Sequence, residues 1–400
     1  MMTIIQPQAM AMAMSLALLL LLQLWSVEAQ VAGPPPASCP DRCGNVSVPY
    51  PFGIRDGCHL PGFRLTCDAT RAPPRLMLGN GTLQVVDISL ANSTVRALDL
   101  AGAVNFTYDV SKVAPSGSGT WASLGTVAGA GPYVVSEQRN RLVGTVCNVQ
   151  ATLAGENTNI IGGCSSFCPV SEMFTSVAAT TPVVPGAGAD NATDGGFTCS
   201  GTSCCETPIA IGRPSYLVQF LSLDQNQELT GKLPIAVRLA ERGWFEGVAG
   251  ELLNSSSSDA AAASLRTPVP VVLEWVVSPT LEAVLQGVTG QFADDRNWSC
   301  PADAARSACR SSNGFCSNVA GNYSRGYVCR CRRGYGGNPY VAGGCQDIDE
   351  CKLAGRCYGE CTNTPGDYQC RCPRGARGDP RIPNGCVKTN LGNYTYIFLL

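Results

Sequence analysis

From Leu83 to Leu90 apolar and polar side chains largely alternate, and the run from Val104 to Val110 behaves alike. A period of two places apolar groups on one face of an extended chain, so both segments predict short β-strands. Glycine, asparagine and proline between such runs supply the turns. Val271 to Val277, bracketed by Pro270 and Pro279, predicts another strand. One short helix is expected, over Ala236 to Phe245, with Arg238, Glu241 and Arg242 on a solvated face. Two stretches rich in Ala, Gly and Ser, Pro182 to Gly196 and Asn254 to Ser264, read as surface loops or linkers. The expected fold class is mostly β, multidomain and disulfide-rich.

The hydrophobic run from Ala9 to Trp25, followed by Val27-Glu28-Ala29, predicts a signal peptide over residues 1–29, although no Lys or Arg precedes it. Its apolar core is short for a membrane span. Tyr396 to Leu400 is shorter still against the roughly 20 residues that a crossing helix needs. No transmembrane span is therefore expected, and the chain reads as secreted or extracellular, or as plasma-membrane-associated if it is a truncated receptor. Nine Asn-x-Ser/Thr sequons agree with export: Asn45, Asn80, Asn92, Asn105, Asn191, Asn254, Asn297, Asn322 and Asn393.

Composition sharpens the compartment. The 22 cysteines, with 44 glycines and 27 prolines, point to a disulfide framework in an oxidising environment. The cysteines fall into groups of ten (Cys39 to Cys205), six (Cys300 to Cys345) and six (Cys351 to Cys386), each able to close on itself. Spacings such as Cys39 to Cys43 and Cys164 to Cys168 also suit zinc, but export favours disulfides. Adjacent Cys204 and Cys205 are expected to take different partners, because a bond between neighbours is strained. A net charge of -2 excludes a nucleic-acid binder driven by overall charge.

Before Cys351 stands Asp347-Ile348-Asp349-Glu350. Asn363 follows Cys361 by two residues, and Tyr368 precedes Cys370 by two. Carboxylate, amide and carbonyl oxygens are what the hard cation calcium prefers. With its six cysteines this stretch resembles the calcium-binding epidermal-growth-factor-like (EGF-like) repeat. The resemblance implies Ca2+ held by Asp347, Glu350 and Asn363 side chains and by the carbonyls of Ile348, Thr364 and Asp367, with Tyr368 packed on the neighbouring module. In the preceding module Arg296-Asn297-Trp298-Ser299 stands before Cys300, so no calcium is expected there. The same resemblance implies the pairs Cys300–Cys316, Cys309–Cys329 and Cys331–Cys345, then Cys351–Cys361, Cys357–Cys370 and Cys372–Cys386. Sequence alone allows 15 connectivities for each six.

Nearer the start, beyond the stiff linker Pro34-Pro35-Pro36, come Cys39-Pro40-Asp41-Arg42-Cys43-Gly44 and Pro49-Tyr50-Pro51-Phe52-Gly53-Ile54. Gly57-Cys58 and Gly62-Phe63-Arg64-Leu65-Thr66-Cys67 follow. This set resembles the galacturonan-binding domain of plant wall-associated receptor kinases. Cys147, Cys164, Cys168, the Cys199 to Thr207 run and Cys329 to Tyr340 extend the resemblance along most of the mature chain. It divides the chain into a galacturonan-binding domain (30–110), a cysteine-rich middle (111–299), EGF-like modules over 300–345 and 347–386, and a tail (387–400). The implied partner is pectin or an oligogalacturonide at the cell wall.

Arg guanidinium matches a repeating carboxylate by paired, charge-assisted hydrogen bonds, which makes Arg42, Arg55, Arg64, Arg71, Arg75 and Arg96 candidate contacts. Asp41, Asp56, Asp68, Asp87 and Asp99 nearly cancel them. Tyr50, Phe52 and Phe63 are either a stacking platform for sugar or core packing. A second basic cluster, Arg306, Arg310, Arg325, Arg330, Arg332 and Arg333 against Asp303, lies in the first EGF-like module and reads as a solvated face or a polyanion contact. The chain is not expected to be an enzyme: its single histidine, His59, sits beside a cysteine, and no kinase motif is present in these residues. The alternatives are an adhesive module that binds an extracellular protein through its EGF-like pair, or a secreted carbohydrate-active enzyme.

Overall fold

Short strands carry the fold. The structure is a computed structural model that describes residues 39–79, 81–109, 116–124, 132–145, 148–155, 158–167, 199, 201, 204–223, 235–253, 265–277, 300, 308–321, 323 and 325–388. The expected signal peptide, Pro34-Pro35-Pro36, both low-complexity stretches, Cys147, Cys168, Asp303, Arg306 and most of the tail lie outside the described residues. So do Asn80, Asn191, Asn254, Asn297, Asn322 and Asn393.

The first strands are β1 (Arg42–Cys43), β2 (Val46–Ser47), β3 (Thr66–Asp68), β4 (Arg75–Leu78), β5 (Leu83–Ser89) and β6 (Thr94–Asp99). The middle contributes β7 (Thr107–Asp109), β8 (Ser116–Trp121), β9 (Tyr133–Val135), β10 (Asn140–Thr145), β11 (Val149–Ala154) and β12 (Ile160–Ser166). It continues with β13 (Cys204–Pro208), β14 (Tyr216–Ser222), β15 (Ala236–Glu241), helix α1 (Trp244–Leu253) and β16 (Val269–Trp275). Three sheets result, with strand orders β3-β4-β5-β6-β16-β9, β12-β11-β14-β8-β7 and β13-β10-β15.

The first sheet runs across the boundary expected near residue 110. Strand β16 pairs with β6 from Val269 opposite Asp99 to Glu274 opposite Thr94, so residues far along the chain complete the N-terminal sheet. Buried Asn140 of β10 clamps the same strand: its Nδ2 donates to the Ser136 and Val272 carbonyls at 2.7 Å each, and its Oδ1 accepts from Val272 N at 2.8 Å. The Trp121 indole of β8 donates to Asp99 at 2.7 Å, which ties the five-stranded sheet to β6. Burial raises the Asp99 carboxyl above its ordinary pKa, opposed by hydrogen bonds from Ala101 N, Trp121 and Ser123. The head and the middle are thus one packed body.

The helix expected over Ala236 to Phe245 is a correction. Residues 236–241 form β15, buried at five successive positions, and α1 starts only at Trp244. A strand covered on both faces loses its alternation, and such a run cannot be told from a buried helix by period alone.

The EGF-like modules are pairs of hairpins: β17 (Gly314–Ala320) with β18 (Arg325–Cys331), β19 (Tyr335–Gly337) with β20 (Cys345–Asp347), β21 (Glu360–Thr364) with β22 (Asp367–Arg371), and β23 (Ala376–Gly378) with β24 (Cys386–Lys388). Disulfides join Cys300–Cys316, Cys309–Cys329, Cys331–Cys345, Cys351–Cys361, Cys357–Cys370 and Cys372–Cys386, the same pairs that the EGF-like resemblance implies. Upstream, Cys39–Cys58, Cys43–Cys67, Cys164–Cys205 and Cys199–Cys204 are bonded, so Cys204 and Cys205 do take different partners.

Candidate functional site

The Pro-Tyr-Pro-Phe-Gly segment builds the core that positions everything else. Phe52 and Phe63, each 1% exposed, meet edge-on at 5.2 Å, and each meets the Trp275 ring of β16 edge-on at 5.3 Å. Tyr133 of β9 closes the cluster, and burial pushes its phenol above the ordinary range. Phe52 as a sugar-stacking residue is therefore corrected: its faces are spent on Phe63 and Trp275. Gly53 is required by close approach, since a Cβ there would overlap the Cys58 carbonyl. Tyr50 is half-buried, and its phenol is raised by burial and partly offset by Arg310 of the first EGF-like module.

That module is docked on the same cluster. Tyr340 is fully buried with its ring 5.6 Å from Trp275, and Asn338 Nδ2 donates to the Tyr50 carbonyl at 2.6 Å. Val277 and Tyr327 exchange backbone hydrogen bonds of 2.8 and 3.1 Å. Arg330 donates to the Ala91 carbonyl at 3.1 Å, and the Arg213 guanidinium lies 3.9 Å over the Tyr323 ring.

The six candidate arginines of the head are all exposed, but the structure does not gather them into one uncompensated patch. Arg64 pairs with Asp56 at 3.0 Å, and Arg96 pairs with Glu241 at 2.6 Å. Arg75 stands across from Asp68 in the β3–β4 register, and the Asp68 carboxyl is held below its usual range by Thr70, with smaller effects from Arg71 and Arg75. Arg42 turns back to the Asn45 carbonyl at 3.3 Å. Arg55 has no ion pair among the described residues. Sequons Asn45, Asn92 and Asn105 are exposed on the same body.

At the junction of the two modules, Asp347 ends β20 and accepts from Asn363 Nδ2 at 2.7 Å and from Gly366 N. Ile348 N donates to the Gly334 carbonyl at 2.9 Å, which couples this acidic segment to the first module. Thr364 and Asp367 face each other at the end of the β21–β22 hairpin, with the Thr364 hydroxyl on the Asp367 carbonyl at 2.8 Å. Glu350 opens a short 3-10 turn and keeps Oε2 buried without a hydrogen-bond partner. Asp349 is otherwise engaged, capping that turn at Cys351 N and pairing with Lys352 at 3.0 Å.

The donors fit a hard cation in type, since a buried carboxylate oxygen lacking a donor partner is costly unless a cation or proton meets it. The Asn363 amide turns its nitrogen, not its oxygen, to Asp347 and would have to rotate to join such a site. No three Asp, Glu, His or Cys groups converge among the described residues.

Tyr368 is a further correction. Its hydroxyl donates to the Arg356 carbonyl at 3.1 Å and its ring lies 6.0 Å from the Arg381 guanidinium, both within its own module. Tyr335 of the first module makes the crossing instead. It lies against Gly366, where a Cβ would come within 2.9 Å of its ring.

Residues 39–99 match the family described as wall-associated receptor kinase galacturonan-binding. Three Arabidopsis thaliana proteins are similar over most of the chain. Wall-associated receptor kinase 4 is 28% identical over 79% of this chain and 35% of its own length. Wall-associated receptor kinase 2 is 29% identical over 84% and 38%, and wall-associated receptor kinase-like 4 is 29% identical over 83% and 40%. The chain thus spans between about a third and two fifths of the length of these relatives. No solved structure matches it. Together the findings support a region like the extracellular part of wall-associated receptor kinases. No helix among the described residues is long and apolar enough to cross a membrane.

Proposed function

We propose that this chain binds acidic pectic polysaccharide outside the cell and that calcium orders the junction between its EGF-like modules. The match of residues 39–99 to a galacturonan-binding family carries the first part. Exposed arginines on a disulfide-fixed body supply the chemistry, because guanidinium pairs with carboxylate in a fixed fork. The second part rests on Asp347, Glu350 and Asn363 at the module entrance, with the Glu350 oxygen left without a partner. Asp347, Asp349 and Glu350 crowd negative charge that a cation would neutralise.

The test uses residues 30–400 together, since a fragment ending before residue 269 would remove β16 and open the Phe52 core. Immobilised de-esterified oligogalacturonide should retain the disulfide-intact protein at low salt and release it as salt rises. No retention at any calcium or salt concentration would sink the proposal.

A further inference from the structure

The two arginine-bearing surfaces differ in what surrounds them. The head sets six arginines over residues 39–99 against five aspartates. The first EGF-like module carries six arginines over residues 300–345 against one acidic residue, Asp303. We infer that this module, docked beside Tyr50 and Ala91, forms the main contact for a repeating-carboxylate glycan, with Arg330, Arg332 and Arg333 as its recognition groups. The inference rests on the acidic-polysaccharide reading above and moves its centre from the matched head to the adjoining module.

Geometry supports it in three ways. First, the module is held rigidly: Tyr340 is locked on Trp275, Asn338 on Tyr50, and Tyr327 on Val277. A guanidinium on such a platform loses little freedom on binding, which is what makes a charge-assisted contact effective. Second, Arg330 uses Nη1 on the Ala91 carbonyl, which fixes it at the seam and leaves most of its five N–H donors for a ligand. Arg332 and Arg333 are exposed and have no ion pair among the described residues. The Arg332 backbone is pinned at both ends, N to Asn313 at 2.8 Å and carbonyl to Tyr335 N at 3.0 Å. Third, Phe315 stands directly across the β17–β18 ladder from Arg330 and is 43% exposed, an apolar ring against which a sugar face can lie. Arg310 adds charge close enough to act on the Tyr50 phenol. Arg332 and Arg333, without an ion pair among the described residues, beside an exposed ring suit an acidic glycan better than an acidic peptide, which offers no flat apolar face to stack.

The experiment compares two double variants of the full chain, Arg332→Gln with Arg333→Gln and Arg71→Gln with Arg75→Gln, on immobilised oligogalacturonide. Binding should weaken about tenfold for the first and by less than about threefold for the second, and Arg330→Lys should weaken it while keeping the charge. Unchanged melting and disulfide maps exclude misfolding. Fully methyl-esterified oligogalacturonide should bind none of the proteins. Binding that survives in the module variant but falls in the head variant overturns the inference and leaves the proposed function standing. Failure of the unaltered protein to bind removes both. Polyglutamate bound as tightly as oligogalacturonide would reassign the patch to acidic peptides and overturn it too.

Discussion

The two EGF-like modules share a disulfide pattern and even a local turn, yet one is part of a core and the other is not. In the first, Gly337-Asn338-Pro339-Tyr340 places Tyr340 N on Asn338 Oδ1 at 2.9 Å. In the second, Gly378-Asp379-Pro380-Arg381 places Arg381 N on Asp379 Oδ1 at the same distance. The frames also agree at Gly344 and Gly385, where a Cβ would overlap the carbonyls of Asn338 and Asp379 respectively. The side chain that closes the turn differs, Tyr340 in one and Arg381 in the other. Tyr340 reaches Trp275 and is fully buried, together with Tyr327, Val328, Cys329 and Cys345, whereas no described residue beyond Cys345 enters the core. A module this small cannot bury enough surface alone, so the first borrows the head's core while the second depends on its cross-links and on its junction.

That contrast is open to direct attack. The largest effect is expected from Tyr340→Ala, which should cost about 3–5 kcal/mol, as loss of a buried aromatic does. Its counterpart Arg381→Ala should stay within about 0.5 kcal/mol. Thermal or denaturant melts of both proteins decide it, and equal losses would mean that the docking seam contributes nothing.

Next comes the junction. Asp347→Asn combined with Glu350→Gln should weaken calcium binding about tenfold or more by titration calorimetry and abolish calcium protection of the 346–350 segment from protease. The first module should stay docked throughout. Cleavage of that segment at one rate with calcium and with chelator, in the unaltered protein, would remove calcium from its role there.

At the seam a smaller loss than that of Tyr340→Ala is expected from Asn338→Ala, which removes the hydrogen bonds to the Tyr50 carbonyl and from Tyr340 N and should cost about 1–2 kcal/mol. Hydrogen exchange at the amides around Tyr50 should quicken in that variant. Unchanged exchange would mean that the seam is held by its other contacts, Tyr340 on Trp275 and the Val277–Tyr327 backbone pair.

Much of the scaffold was legible without coordinates, and the reasons for the misses are specific. The strand at Leu83 to Ser89 matches an alternating run, because pleating imposes a period of two wherever one face meets solvent. Strand β16, buried at six of seven positions, overlaps the expected Val271–Val277 run but starts at Val269 and takes Pro270 inside it. Strand β15 is covered on both sides in the same way and, not bracketed by prolines, read as a helix. Phe52 read as core packing or a sugar platform, with packing favoured, and its partner Trp275, more than two hundred residues along the chain, could not be named. The head arginines were legible as residues but not as pairs. Arg96 with Glu241 joins β6 to β15, and no spacing announces that. Tyr335 went unnoticed as the crossing aromatic because the fit depends on a bare Gly366 in the next module.

The sequence by itself determined the chemistry available: sulfur to cross-link, oxygen donors gathered before Cys351, and a first module with six arginines against Asp303. Those follow from residue identity at short range, where the chain can bring groups together in few ways. Only the tertiary structure decided which aromatics were enclosed, which guanidiniums were neutralised, and which module became part of the body. Each of those depends on a contact between distant segments, whose pairing is set by the packing of whole sheets and leaves no local mark.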